Sequence, residues 1–474
     1  SREHASRPLQ YATEGGRAVG RQCYGGRVRS AVDFYNSQGI AGILPMTASD
    51  AGQKTTSRER SANTDYIITS LLDTDFYKLT MGQLIFDKYP DVPVKYSFKN
   101  RTTNVFLTHH IAEEDFRREL DHVQSLRLTA AEAAYLRSLQ GSGRPLFSER
   151  YIEFLKNMRL PDYTIIVSEN NFDVSVAGTW SEAIYWEIFI LSVLNELYYR
   201  SLLARFHYNG KREVFAEGLQ RLDRKISLVK ANPLISFSDF GTRRRFSREW
   251  HDLVVSRLCA ELPQTSFTGT SNVSLACKYG LTPIGTMAHE MFMVMSGIMH
   301  KDEEMIYTSH HRVLEDWWEY YGAGLSIALT DTYSTDFFFR DMTQEQARNW
   351  KGLRQDSGDP IAFGEKAIKF YQSLGIDPQE KMIVFSDGLD IETICRLAEH
   401  FAGRIKCAFG WGTNLTNDLG FGALSLVVKV VEACGHATVK LSDNLAKAIG
   451  EQQDIERFKR IFGYTGTMYE ECRY

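Results

Sequence analysis

From about Asp65 onward the chain settles into repeating apolar positions, first at helical spacing and then at strand spacing; before that point neither period is sustained. "LLDTDFYKLTMGQLIFDKYP" places Phe76, Leu79, Leu84 and Phe86 along one helical face, with Asp and Thr candidates for an N-cap and Pro90 as a stop. "VPVKYSF" alternates as a strand, and "YTIIVSENNFDVSVAG" reads as two strands joined by a turn at "ENN". A helix from Trp180 to Tyr199 follows, which makes residues 65–230 a mixed α+β domain.

From about residue 231 the rhythm changes. Seven short apolar runs, "LISFSDFG", "SFTGTSN", "TPIGTMAHE", "SIALTDTYS", "KGLRQDSGD", "MIVFSDGLD" and "KCAFGWGTN", each end in a small or charged cluster, and most are followed by a helical segment. Caps are recognisable at Ser247, Ser271 and Asp390. Strands linked in series by helices predict a parallel sheet closing into an αβ barrel, in which the clusters at the strand ends meet on one face. The closing "LSLVVKVVEACGHATVKLS" instead predicts a two-stranded ribbon turning at Gly435, with a return to the first domain as one course open to it. Barrel and ribbon together occupy residues 231–474, while residues 1–64 predict an unstructured extension.

Composition narrows the function. A formal charge of -4 disfavours a nucleic-acid partner, so any phosphate site is local. The seven cysteines are scattered and contain no C-x-x-C pair, which argues against a disulfide framework or a zinc ribbon and for a reducing, cytoplasmic setting. The most apolar stretch, "AIYWEIFILSVLNELYY", carries Glu187, Asn195 and Glu196 and therefore predicts a buried helix in place of a membrane span.

The strand-end clusters share one inventory of glycines, hydroxyls, guanidiniums and carboxylates. Glycine lets backbone N–H groups approach phosphate oxygens, hydroxyls donate to them, and arginine offers a planar fork, so the shared chemistry is that of a phosphorylated small substrate. "FGWGTN" suits a phosphate-cradling turn more than a dinucleotide fingerprint, and the chain contains no P-loop signature. "FGTRRRFS" supplies a phosphate clamp from one of Arg243 to Arg245, and "RQDSGDP" sets Arg354 beside Asp356. His310–His311 and His109–His110 lack metal-site spacing and read as solvated loops. By itself the stretch "GTMAHE" leaves His289 open between core group, ligand and acid–base group.

With "SLLDTDFYK", "FGTRRRFS", "GTSN", "GTMAHE", "ALTDTYSTD", "GLRQDSGDP", "VFSDGLD" and "FGWGTNLTND" in one order, the chain resembles the nicotinate phosphoribosyltransferase family from about residue 65 to 470. The resemblance implies an irregular αβ barrel of the type II phosphoribosyltransferase kind with an N-terminal α+β domain, working as a homodimer with shared active sites. It implies a reaction joining nicotinate to 5-phosphoribosyl 1-diphosphate, driven by ATP with Mg2+. His289 then corresponds to a phosphorylated histidine, with Glu290 as the candidate to orient it, and Arg354 and Asp356 complete the catalytic set. Tyr77, from a neighbouring subunit, and Phe240 would sandwich the pyridine ring. Arg354 would meet the nicotinate carboxylate or the donor phosphates, and Arg243 the diphosphate. Thr286, Ser386, Gly410, Gly412 and Thr413 would bind donor or product phosphate, and Ser271 would favour an acid over an amide. The alternatives are a nicotinamide phosphoribosyltransferase and a non-catalytic phosphosugar-binding barrel.

Overall fold

The structure is a computed structural model and describes residues 66–470. The expected extension over residues 1–64 lies outside the described residues. In the first half, strands β1 (Pro93–Asn100), β4 (Tyr163–Val167) and β5 (Phe172–Thr179) form an antiparallel sheet, while β2 (Gln140–Gly141) and β3 (Arg144–Pro145) pair only with each other. Alternation does what it predicts here: Val94, Tyr96 and Phe98 of β1 are buried on one face, as are Phe172, Val174 and Val176 of β5.

The apolar stretch after β5 breaks in two, as helices Trp180–Ala183 and Trp186–Ala204. The longer one is buried nearly all round, and its polar residues are partnered: Asn195 donates to Leu191 O at 2.8 Å, and Glu196 pairs with Arg200 at 2.7 Å. Among the described residues, no helix is long and apolar enough to cross a membrane.

The seven apolar runs become β6 (Phe237–Asp239), β7 (Phe267–Thr270), β8 (Thr282–Pro283), β9 (Ile327–Leu329), β10 (Gly352–Gln355), β11 (Met382–Phe385) and β12 (Lys406–Trp411). They form one parallel sheet in the order β8-β7-β6-β12-β11-β10-β9, with helices between successive strands. The two ends, β8 and β9, do not pair, so the curled sheet is an open half-barrel. Helices start where capping chemistry allows. Ser247 and Asp390 cap as expected, but the cap after β7 is Asn272, whose side chain accepts from Leu275 N at 2.9 Å, and not Ser271. Ser271 has another task, described below.

The ribbon predicted at Gly435 forms as β13 (Leu426–Ala433) and β14 (His436–Ala437), joined by Cys434 and Gly435, both at positive φ (52° and 77°). That is the two-residue turn favoured by the twist of a hairpin. β13 lies against β1, so the N-terminal sheet has the order β14-β13-β1-β5-β4.

Two expectations about histidines change. His310 and His311 sit on the helix Glu303–Tyr321, not in a solvated loop. His310 is buried, stacked 4.8 Å from the Phe292 ring, with Nδ1 2.6 Å from Asp341 Oδ2. The aromatic shelf around it could not be seen from local spacing.

Candidate active site

Two concavities share the backbone of Gly285 as part of their walls. The larger, about 1470 Å³, holds no imidazole beside paired carboxylates; the smaller, about 130 Å³, does. Chemistry decides between them, and the strand ends of the half-barrel all point to the smaller one.

His289 is the first residue of the helix His289–Ile298 after β8. Its Nδ1 is 3.0 Å from Thr332 Oγ1, and its Nε2 is 3.1 Å from Asp356 Oδ2 and 3.7 Å from Asp331 Oδ1. The two carboxylates are tethered in the same manner. Asp356 Oδ1 accepts from Arg354 Nη2 at 3.1 Å and Ser386 Oγ at 2.9 Å, leaving Oδ2 for the imidazole. Asp331 Oδ2 accepts from Ser357 Oγ at 2.5 Å, with Ser442 Oγ at 3.4 Å and Lys440 at 3.9 Å. Its Oδ1 is buried without a hydrogen-bond partner among the described residues.

Electrostatics keep the imidazole neutral. Burial, reinforced by Lys440 and opposed by the two aspartates, lowers His289 from 6.5 to about 4. Burial alone would raise Asp356, but Arg354 and then the imidazole hold it well below the usual carboxylate range. A neutral imidazole with a carboxylate at one nitrogen keeps its proton there and leaves a lone pair on the other.

Glu290 does not orient His289, contrary to expectation. It turns away, accepting from Lys78 Nζ at 2.7 Å, from Trp180 Nε1 at 2.7 Å and from the Tyr96 hydroxyl. Adjacent residues on a helix point about 100° apart, so the neighbour of an inward imidazole serves a different wall.

Arg354 leaves β10 with Nε bonded to Ser386 Oγ at 2.8 Å and its guanidinium 5.7 Å from the centre of the Phe240 ring. Phe240 follows β6 and packs on Gly410, where a Cβ would stand 2.4 Å from the ring. Gly412 and Thr413, just past β12, line the cavity beside it. Lys447 bridges this wall, donating to Asp356 O at 2.8 Å and pairing with Asp387.

Tyr77 of this chain also lines the cavity. Asp75, at the N-cap of the helix Phe76–Lys88, makes no side-chain cap bond because Ser271 Oγ donates to its Oδ1 at 2.7 Å. This contact and the bridge between Asp75 and Asn272 bring the helix start onto the barrel rim. Beyond Tyr77 lies Glu187, whose carboxylate meets Lys78 at 2.8 Å, Lys429 at 2.8 Å and Arg243 at 3.6 Å.

Of the arginine triplet, Arg243 and Arg244 line the cavity, whereas Arg245 forms a two-pronged bond to Asp73, 2.7 Å at each oxygen. Thr286, like Glu290, is an expected site residue outside the cavity. Its hydroxyl donates to Ile327 O at 3.3 Å in the gap between β8 and β9, and it lines the larger cleft. Residues not foreseen as site members include Thr332, Lys429, Lys440, Lys447 and Glu187. Thr332 and Asp331 lie in one strand-end motif that advertised them; the lysines come from the C-terminal ribbon and beyond, which no barrel pattern covers.

Comparison with known proteins agrees with this geometry. The nicotinate phosphoribosyltransferase (NAPRTase) family model matches residues 235–466, and the model of that family's N-terminal domain matches residues 72–195. The crystal structure of nicotinate phosphoribosyltransferase from Porphyromonas gingivalis is similar at 34% identity and a TM-score of 0.75, covering 84% of this chain and 100% of that one. The one from Vibrio cholerae is similar at 33% identity and a TM-score of 0.76, covering 85% of this chain and 96% of that one.

Proposed function

The chain belongs to the nicotinate phosphoribosyltransferase family, whose activity is phosphoribosyl transfer in the salvage of nicotinate into NAD, and on that premise we propose how its residues divide the work. Nicotinate and 5-phosphoribosyl 1-diphosphate are the substrates. The pyridine nitrogen, already unprotonated, forms the new bond to the anomeric carbon as the C–O bond to diphosphate breaks, so no strong base is required. What is required is alignment and charge. Tyr77 and Phe240 hold the flat ring between them, and Arg243 meets the diphosphate. Ser386, Gly410, Gly412 and Thr413 cradle donor or product phosphate, and Asp356 stabilises the cationic ribosyl transition state.

The finer part of the proposal is that ATP drives the reaction through a phosphohistidine. The observation that carries it is the neutral His289 imidazole, buried in the same cavity and anchored at Nε2 by Asp356. The P–O bond to ADP breaks as a N–P bond forms at Nδ1 in place of its hydrogen bond from the Thr332 hydroxyl, and Asp356 retains the proton on Nε2. Magnesium fits this site: Asp331 Oδ1 is a buried oxygen with no hydrogen-bond partner among the described residues, a carboxylate oxygen of Asp356 lies within 4.8 Å of one of Asp331, and hard oxygen pairs of this kind hold Mg2+ together with substrate phosphates. When bound, the ion neutralises phosphate charge. A homodimer and a cytoplasmic location belong to the same proposal.

The test is product analysis with nicotinate, the phosphoribosyl donor and magnesium, with and without ATP, alongside incubation with γ-labelled ATP. Acid-labile, base-stable label that disappears in His289→Ala, and nicotinate mononucleotide formation stimulated by ATP, are expected. Label retained in His289→Ala overturns the phosphohistidine.

A further inference from the structure

We propose that the Lys429 ammonium reads the carboxylate of the pyridine substrate and so sets a preference for acid over amide. The inference rests on the phosphoribosyl-transfer reading above and adds to it a specificity residue on the N-terminal sheet, outside the barrel.

Arg101 and Arg244 line the cavity as well, and the other five Lys and Arg side chains fall into groups. Lys440 and Lys447 attend the carboxylates around His289, and Arg354 is bonded to Asp356 and Ser386. Lys429 stands at the other end, beside Glu187, with Tyr77 close enough for its phenol to feel Glu187, Lys78 and Arg243. Three cations surround the single Glu187 carboxylate. Lys78 is fully buried and has a second carboxylate in Glu290, but Lys429 and Arg243 both face the cavity and share what Glu187 offers. Burial, reinforced by the nearby Arg243 and Lys78, lowers Lys429 from 10.5 to about 8 against the pull of Glu187, so its charge is costly here and a further anion beside it is favourable. The other carboxyl at this end, Asp75, is raised by burial and accepts from the Ser271 hydroxyl, which weakens its hold on the same cations.

An aromatic acid entering between Tyr77 and Phe240 with its carboxylate toward Glu187 supplies the missing counter-charge. A neutral carboxamide leaves the buried ammonium undercompensated. The position on β13 fixes the geometry. Lys429 pairs with Ser97 of β1, between the buried Val428 and Val430, so the strand turns its side chain to the face opposite the sheet core.

Steady-state kinetics of wild type, Lys429→Met and Lys429→Arg with nicotinate and with nicotinamide test this. Lys429→Met is expected to raise the KM for nicotinate by about ten-fold or more, the loss of one charge-assisted contact, and to shrink the acid-to-amide ratio of kcat/KM by a similar factor. The KM for the phosphoribosyl donor should move by less than about two-fold, since a lost contact to the base does not touch the donor. Lys429→Arg, which keeps the charge, retains the acid preference; Lys429→Gln replaces the Met variant if that one does not fold. An unchanged nicotinate KM in the neutral variants, or an equal loss in Lys429→Arg, overturns the assignment. A wild-type protein that makes no nicotinate mononucleotide overturns the reaction itself, whatever Lys429 does.

Discussion

Lys78 Nζ lies 2.7 Å from Glu290 Oε2, although 212 residues separate them, and neither side chain has meaningful access to solvent. The pair ties the first helix of the N-terminal domain to the first turn of the helix that begins with His289. Removing Lys78 leaves the buried Glu290 carboxylate with only neutral donors, Tyr96 and Trp180, whereas removing Glu290 leaves Lys78 its pair with Glu187. Lys78→Met is therefore expected to lose about 3–5 kcal/mol in urea unfolding, Glu290→Gln less, and the double variant less than the sum. Additive losses would mean the two residues do not act as a pair.

The His289 imidazole gives a pH signature. Its folded pKa, about 4, is below the ordinary 6.5, so the unfolded chain binds the proton first as pH falls. Its contribution to stability is complete above about 6.5 and is lost as pH drops toward about 4. Denaturation of wild type and His289→Gln across that window should show the variant less sensitive to acid. By the same neutrality, labelling by ATP should not decline through 6.5; a midpoint there would mean that the imidazole titrates like an exposed histidine.

Gly410 has a steric task. A Cβ there would stand 2.4 Å from two carbons of the Phe240 ring, too close to accommodate without moving it. Gly410→Ala is expected to raise the KM for nicotinate by about ten-fold through displacement of that ring. An unaltered KM would place the pyridine elsewhere.

His310 serves the fold. Held by Asp341 and packed against Phe292, Phe337 and Phe338, it should cost about 2–4 kcal/mol when changed to alanine. The KM for each substrate should stay within about two-fold, as a residue away from the cavity dictates. A selective kinetic defect at full stability would contradict this.

Much of this architecture was legible because the relevant signals are local. Each of the seven strands announces itself as a short apolar run ending in Gly, Ser or Asp, and the strand ends bring Phe240, Ser271, Asp356, Ser386 and Gly412 to one cavity. What was not legible depends on side-chain direction or distant partners. Glu290 follows His289 in sequence yet faces Lys78, because a helix rotates successive residues apart. Thr286 precedes the same helix but spends its hydroxyl on Ile327 O, across a gap that exists only because β8 and β9 stay apart. Lys429 sits in an alternating strand whose pattern says that it points away from the core, not that Glu187 awaits it.

The placement of β13 also governs how the protein is made. β1 finds its neighbour on one side in β5, but on the other side only in a strand from the far end of the chain; the contact from Ser425 to Thr102 next to this pairing spans 323 residues. At roughly 5–20 residues per second, a ribosome exposes that open edge for tens of seconds before its partner emerges. Lys429 arrives with the late strand, so the nascent chain can assemble much of the parallel sheet and still lack the cation assigned to the ring acid. On that assignment substrate discrimination is among the last properties acquired during synthesis, and nascent-chain arrest before β13 should yield a barrel with an open sheet edge.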